Sequence, residues 1–394
     1  MLAFQSCIIL ISFLFYQESK GYDEFLFFPE PSERNSEICC NDDTLISCTK
    51  VILDPAHLSK KKIILKGIKL TFSNSVEPNG YDYKNHQGDE ALISYNKDTG
   101  NMFGTFTTHD GRSFAIEKCH DGHVWKEFNV SKFGEDATID PGVNVTFSIE
   151  KEGNRQSIAT YSVMFYYTPQ FKAVTADVDG FIDQIIDATN EGYINSKMTI
   201  RVRKFCSELA TLNDNDVQEA NLGPLVQMKG SISALTQTAD AATLLEYQNS
   251  RYCGYANFFN RRYALSVNQK NCALGGYTFG HELGHNLGAD HDPRVVQRPL
   301  YADGQGHLIL PSGSGYRTIM AYSFTGHTRR VNYYSNPSVT FPATGTPTGI
   351  TGVSNNARVI TLNRNVVAAY GDESGSCSGM LRPGAKSNQN VFPL

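Results

Sequence analysis

The stretch Gly280-His281-Glu282-Leu283-Gly284-His285-Asn286-Leu287-Gly288-Ala289-Asp290-His291-Asp292 sets three histidines and one glutamate at spacings that suit a single metal ion. Residues four apart on an α-helix lie one above the other, so His281 and His285 can direct a ring nitrogen at the same point. Glu282 is then a neighbour of the ion without being a ligand. One zinc ion held by three protein ligands keeps a fourth position for water and lowers that water's pKa, and a carboxylate alongside can take the proton. This is the chemistry of peptide hydrolysis. A third ligand six residues beyond His285 cannot lie on a continuing helix, so the chain must turn back. Gly288 can adopt the left-handed conformation that ends a helix and brings His291 round.

The elements that must carry these residues divide the chain of 394 residues into two halves with a segment at either end. Residues 2–16 are almost all apolar before Gln17-Glu18-Ser19-Lys20, a length that suits a secretory signal over 1–21, with a signal-anchor as the alternative. No later stretch is apolar enough to span a bilayer. Beyond Cys7 there are eight cysteines, four in each half, which agrees with an oxidising, extracellular destination and permits two bridges per half. The sequons at Asn129 and Asn144 suit a secreted glycoprotein.

Residues 22–156 are predicted to be mainly β: Lys62 to Phe72, Ala91 to Asn96, Met102 to Thr107 and Ser113 to Glu117 read as strands, with turns at Asp98-Thr99-Gly100-Asn101 and Asp110-Gly111. This half holds the acidic excess, 22 acidic against 15 basic residues from Tyr22 to Arg155; Ser157 to Asp372 has 16 against 17. A near-neutral second half implies no nucleic-acid partner. In it, Ser157 to Thr168 alternates as a strand, Val178, Phe181, Ile182, Ile185 and Ile186 recur at helical spacing, and Met198 to Arg203 alternates again, the start of an α/β layer. Ala357 to Ala368 suggests a closing helix, and 373–394 an exposed tail.

H-E-x-x-H-x-x-G-x-x-H resembles the signature of the metzincin zinc endopeptidases, and Asp292 after the third histidine is similar to the adamalysin (reprolysin) branch. Thr318-Ile319-Met320-Ala321-Tyr322 resembles the clan's methionine turn, in which Met320 would form an apolar floor beneath the histidines. Tyr322 departs from adamalysins and stands where astacins and serralysins carry a tyrosine that reaches the metal; it is either part of the catalytic apparatus or a core tyrosine. The resemblance implies an α/β catalytic domain over 157–372, with a mixed, mostly parallel sheet and an active-site helix. It implies a strand within Ala239 to Tyr247, where composition alone would also suit a helix, and an antiparallel edge strand at Asn257 to Val267 that pairs with an extended peptide or protein substrate. It also implies a β-rich pro-region over 22–156 that keeps the enzyme silent. Cys119 is either a thiolate switch on the metal or a disulfide partner. The function expected is a secreted zinc endopeptidase made as a zymogen, with Glu282 as general base. A catalytically silent binding protein of the same fold and a zinc exopeptidase are the alternatives. His307 and His327 are candidates by residue type alone. Arg329 or Arg330, if turned inward, would favour an acidic side chain after the cut bond.

Overall fold

Strand-forming runs separated by short turns build the first half, as their composition predicts, and the computed structural model assembles them into one curled sheet. It describes residues 23–24, 28–29, 40, 42–52, 55, 58, 62–65, 67–76, 80–133, 135–139, 157–210, 212, 214, 239–247, 252–259, 264–309, 315–323 and 329–371. The proposed signal segment, Asn144, Arg155, His327, Cys377 and the tail fall outside the described residues.

The first sheet comprises β1 (Asp23–Glu24), β2 (Phe28–Pro29), β3 (Leu45–Ile52), β4 (Lys62–Leu65), β5 (Ile68–Val76), β6 (Gly80–Lys84), β7 (Glu90–Tyr95), β8 (Met102–Thr107), β9 (Ser113–Cys119) and β10 (Gly122–Phe128). They lie in the order β1-β4-β5-β6-β7-β8-β9-β10-β3-β2, antiparallel except where β1 meets β4. The run from Lys62 to Phe72 is two strands: Leu65 pairs back on Ile68, so a continuous apolar pattern conceals a hairpin.

The second half begins with β12 (Ala159–Tyr167), then α1 (Pro169–Ala173), α2 (Val178–Asn195), β13 (Ile200–Leu209), β14 (Ala241–Glu246), β15 (Tyr252–Asn257) and β16 (Ala264–Gln269). Helices α3 (Lys270–Gly276) and α4 (Thr278–Asn286) follow, and α5 (Asn356–Val367) closes the domain. The sheet order is β11-β15-β16-β14-β12-β13, where β11 is Glu135–Ile139 from the end of the first half. Only β15 against β16 is antiparallel, so the sheet is mixed and mostly parallel. The strand expected within Ala239 to Tyr247 is β14. The edge strand expected at Asn257 to Val267 is instead β15, and that span covers the end of β15, a connection and the start of β16. Every residue of β16 is buried because strands flank it on both sides, so its β-rich composition marks an interior strand.

Helix α2 joins the halves. Asp177 caps it by accepting the Gly180 N–H at 2.9 Å. Its apolar positions pack on the second sheet, yet Gln184, Asp187 and Glu191 on its polar face are buried as well. The first sheet covers that face. Val76, Leu92, Phe103, Ala115 and Phe128 share one apolar core with Phe181, Ile185 and Ile186. Lys84 Nζ lies 2.9 Å from Asp82 and 3.0 Å from Glu191, and Ser94 donates to Asp187. A second group of charges is sealed further along: Glu117 on β9 bridges Lys126 on β10, at 2.6 Å, and Lys270 on α3. Burial works against the Glu117 charge, but the two ammonium groups outweigh it and hold its carboxyl below the ordinary value.

These interior charges have measurable consequences. Glu117→Gln leaves two buried ammonium groups with one neutral partner, so its unfolding midpoint in urea should fall by the equivalent of about 3–5 kcal/mol; replacing Glu117, Lys126 and Lys270 together by apolar residues should recover most of it. Burial first, and the Glu191 charge second, raise the Asp82 carboxyl to about 9. A carboxyl raised in the folded state contributes stability that is complete below its unfolded pKa of about 4 and is lost as pH rises through the folded one. Melting temperature should therefore decline between neutrality and the Asp82 pKa, and Asp82→Asn should flatten that decline.

Candidate metal centre

The α4 helix starts at Tyr277, whose φ of 57° lies in the left-handed region unusual for a side-chain-bearing residue. Its hydroxyl is held at 3.2 Å from Thr107 and donates to Glu90 at 3.4 Å, so first-half residues help to hold this turn. At the far end Asn286 donates to the Asn257 carbonyl at 2.7 Å and the Leu265 carbonyl at 3.0 Å, which fastens the helix to β15 and β16. Asn363 of α5 donates to Leu287 O at 2.8 Å, and Gly288 follows at φ 88°, the left-handed turn its position predicts.

That turn brings His291 to the other two histidines. The Nε2 atoms of His281, His285 and His291 stand 3.0, 3.0 and 3.2 Å apart, and all three rings are fully or almost fully buried. His281 Nδ1–H donates to Ile319 O at 2.8 Å and His285 Nδ1–H to Ala289 O at 3.0 Å. A neutral imidazole that donates from Nδ1 carries a lone pair on Nε2, so at least two lone pairs point into the triangle. Lone pairs that close repel one another unless a cation stands among them, and a triangle of this size accepts an ion about 2 Å from each nitrogen. The donor set therefore fits zinc. Among the described residues this is the one cluster of metal-ligating side chains.

Glu282 is buried, and its carboxylate faces the edge strand: a Cβ added to Gly254 on β15 would lie 2.7 Å from Glu282 Oε1 and 2.6 Å from Thr278 Cγ2. Met320 lies beneath the helix, where a Cβ at Gly284 would meet its Sδ at 2.5 Å. Ile319, one residue before it, supplies the carbonyl that orients His281. The Tyr322 ring packs on the His291 ring with centroids 4.2 Å apart. His281, Glu282, His285, Gly288, His291, Met320 and Tyr322 thus lie together here.

Cys119 is buried and disulfide-bonded, so its sulfur has no thiolate to offer and the switch reading is corrected in favour of the disulfide. Its strand lies in the first sheet beside the Cys40–Cys48 bridge. His307 is also outside the cluster; its backbone N–H binds Thr318 Oγ1 at 2.9 Å, and burial lowers its pKa. A further bridge, Cys253–Cys272, ties β15 to α3.

At the start of α4 is a cavity of about 160 Å³ lined by Cys253, Thr278, Ser323, Arg317, Arg329 and Arg330, with first-half residues such as Ser113 and Phe133 closing it. Tyr316–Arg317 pairs in parallel with Arg329–Arg330, which brings three arginines together along the cavity, and Arg317 donates to Ala321 O at 2.6 Å. Arg329 lies 3.7 Å from Glu90 and donates to Gly88 O at 3.1 Å; Arg330 donates to Gly276 O at 2.9 Å. Arg317 carried no signal of its own in the sequence, because only the strand pairing sets it beside the other two.

Residues 159–335 match the profile of metallo-peptidase family M12. A peptidyl-Asp metalloendopeptidase of Stenotrophomonas maltophilia (strain K279a) is 28% identical over 281 residues, 66% of this chain and 66% of that protein. A protein of the same name from Xanthomonas campestris pv. campestris is 27% identical over 282 residues, 66% of this chain and 65% of that protein. Another, from Pseudomonas fragi, is 26% identical over 182 residues, 46% of this chain and 99% of that protein. The chain thus spans just under two thirds of the first two relatives' lengths.

Gly254→Ala should push the Glu282 carboxylate and Thr278 aside without touching a histidine. Its kcat should fall by about 10²-fold, as for a displacement near 1 Å, while zinc content measured by atomic absorption stays at the wild-type level.

Proposed function

Residues 159–335 form a metzincin-type domain of metallo-peptidase family M12, and from that premise we propose that the chain is a zinc metalloendopeptidase and assign it a substrate, a mechanism and a latent form. The convergence of three histidine Nε2 atoms beside a buried glutamate carries this reading. When bound, zinc supplies a Lewis acid for the scissile carbonyl and lowers the pKa of water. Glu282 takes the proton from the attacking water and passes it to the leaving amine. Gly254 leaves the space in which that carboxylate sits against β15. The Tyr322 hydroxyl, carried on a ring packed beside His291, donates to the carbonyl oxygen as negative charge develops there. With His281, His285, His291, Glu282, Gly288 and Met320 all in place, a silent scaffold is the weaker reading.

The substrate is a peptide extended beside β15, with an acidic side chain after the cut bond. Arg317, Arg329 and Arg330 line a cavity that reaches Thr278, on the same helix as His281, and guanidinium groups pair with carboxylates in a way no neutral isostere reproduces. The name shared by the relatives, peptidyl-Asp metalloendopeptidase, supports an acidic side chain at the cut site.

The first half is a pro-region, and the full chain a secreted zymogen. What supports latency is β11, which pairs in parallel with β15 from Glu135↔Tyr252 to Ile139↔Asn257 and so takes the edge a substrate strand needs. Glu90 of the same half is paired with Arg329 at the acidic-specificity cavity. The apolar run in residues 2–16 and the disulfides Cys40–Cys48 and Cys253–Cys272, one in each half, support secretion.

Incubating the processed protein with a denatured protein should give internal cuts that chelation abolishes and zinc restores; cuts only at chain ends would refute endopeptidase action. With peptides differing only after the scissile bond, kcat/KM for Asp should exceed that for Asn by about tenfold or more, and Arg330→Gln should narrow the ratio. Tyr322→Phe keeps the ring and should lower kcat by about 10²-fold with KM little changed.

A further inference from the structure

We propose that Arg294 is a positioning residue for the reaction, acting by holding the backbone of Tyr322. This role rests on the catalytic one given above to the Tyr322 hydroxyl. Asp292 directly follows the metal-binding His291 and is buried to 1% exposure. Its Oδ2 accepts the Tyr322 N–H at 3.0 Å, and its two oxygens accept Arg294 Nε at 2.7 Å and Nη2 at 3.1 Å. The same Nη2 donates to the Tyr322 carbonyl at 3.0 Å. One ion pair therefore grips both backbone groups of a single residue, the N–H through Asp292 and the C=O through Arg294.

The consequence is geometric. Met320, two residues earlier, is packed under α4, so the turn is anchored on one side by apolar contact and on the other by this clamp. Fixing the N–H and C=O of Tyr322 fixes the direction of its Cα–Cβ bond, and hence the ring 4.2 Å from His291. Because Asp292 and Arg294 are chain neighbours of His291, the clamp sets Tyr322 relative to the metal ligand itself. A guanidinium can do this because its planar fork presents several donors at fixed angles. An ammonium at the same position neutralises Asp292 but cannot span both acceptors with that geometry.

The experiment compares Arg294→Lys, Tyr322→Phe and the double variant in the processed, zinc-loaded enzyme. Arg294→Lys keeps the charge that Asp292 needs, so the expected result is unchanged zinc content with kcat lowered about tenfold and KM within about twofold of wild type. Placed on Tyr322→Phe, the same substitution should cause no further loss, since the hydroxyl it aims is already gone. With 3-fluorotyrosine incorporated, the ¹⁹F resonance missing from Tyr322→Phe should shift or broaden in Arg294→Lys. Wild-type kcat in Arg294→Lys, or an equal loss in both backgrounds, overturns the clamp while leaving the role of Tyr322 standing. Wild-type kcat in Tyr322→Phe overturns both.

Discussion

Three imidazole nitrogens held about 3 Å apart, at least two of them with lone pairs facing inward, form an arrangement that repels itself without a cation, and the second half is built to maintain it. Each constraint around the triad has a separate source. Backbone carbonyls of Ile319 and Ala289 set the ring orientation of two histidines. Asn286 and Asn363 secure the end of the helix by side-chain donors to carbonyls, where repeated helix bonding has run out. Met320 fills the space that Gly284 leaves. The methionine turn thus both orients a ligand through Ile319 and presents Tyr322 to the site.

The first half is bound to this domain as a folding partner would be. It covers the polar face of α2, shares its apolar core and places Glu117 between one ammonium group of its own and one from α3. Charges this deeply buried are costly alone and tolerable only as a set. Separating the halves would leave Glu191, Asp187 and Lys270 to find water. The pairing of β11 with β15 and the packing over α2 both join the two halves, one through backbone and the other through buried side chains.

The Cys119 outcome follows from where β9 lies. A thiolate switch must reach the open position of the metal, but β9 runs within the first sheet beside β10, and its cysteine turns into a small sulfur-rich pocket with Cys40 and Cys48 nearby. The contact nearest the site is backbone instead: β11, from the end of the first half, pairs with β15. Chain spacing carries no record of that choice, because β11 and β15 meet across more than a hundred residues of sequence.

The sequence by itself determined the metal site. His281 and His285 share a face, with Glu282 beside it, because helix periodicity is local, and Gly288 turns the chain because its φ of 88° is open to glycine. Alternation likewise marked β12 and β13, and composition marked β8. Tertiary structure alone decided the features made by distant residues: the sealed face of α2, the interior place of β16, the pairing that gathers Arg317 with Arg329 and Arg330, and the Asp292 and Arg294 grip on Tyr322. A polar residue on a helix reads as solvent-facing in any window of sequence; whether it meets water or a partner depends on which surface folds over it, and hydrogen-bond geometry between segments has no periodicity to betray it.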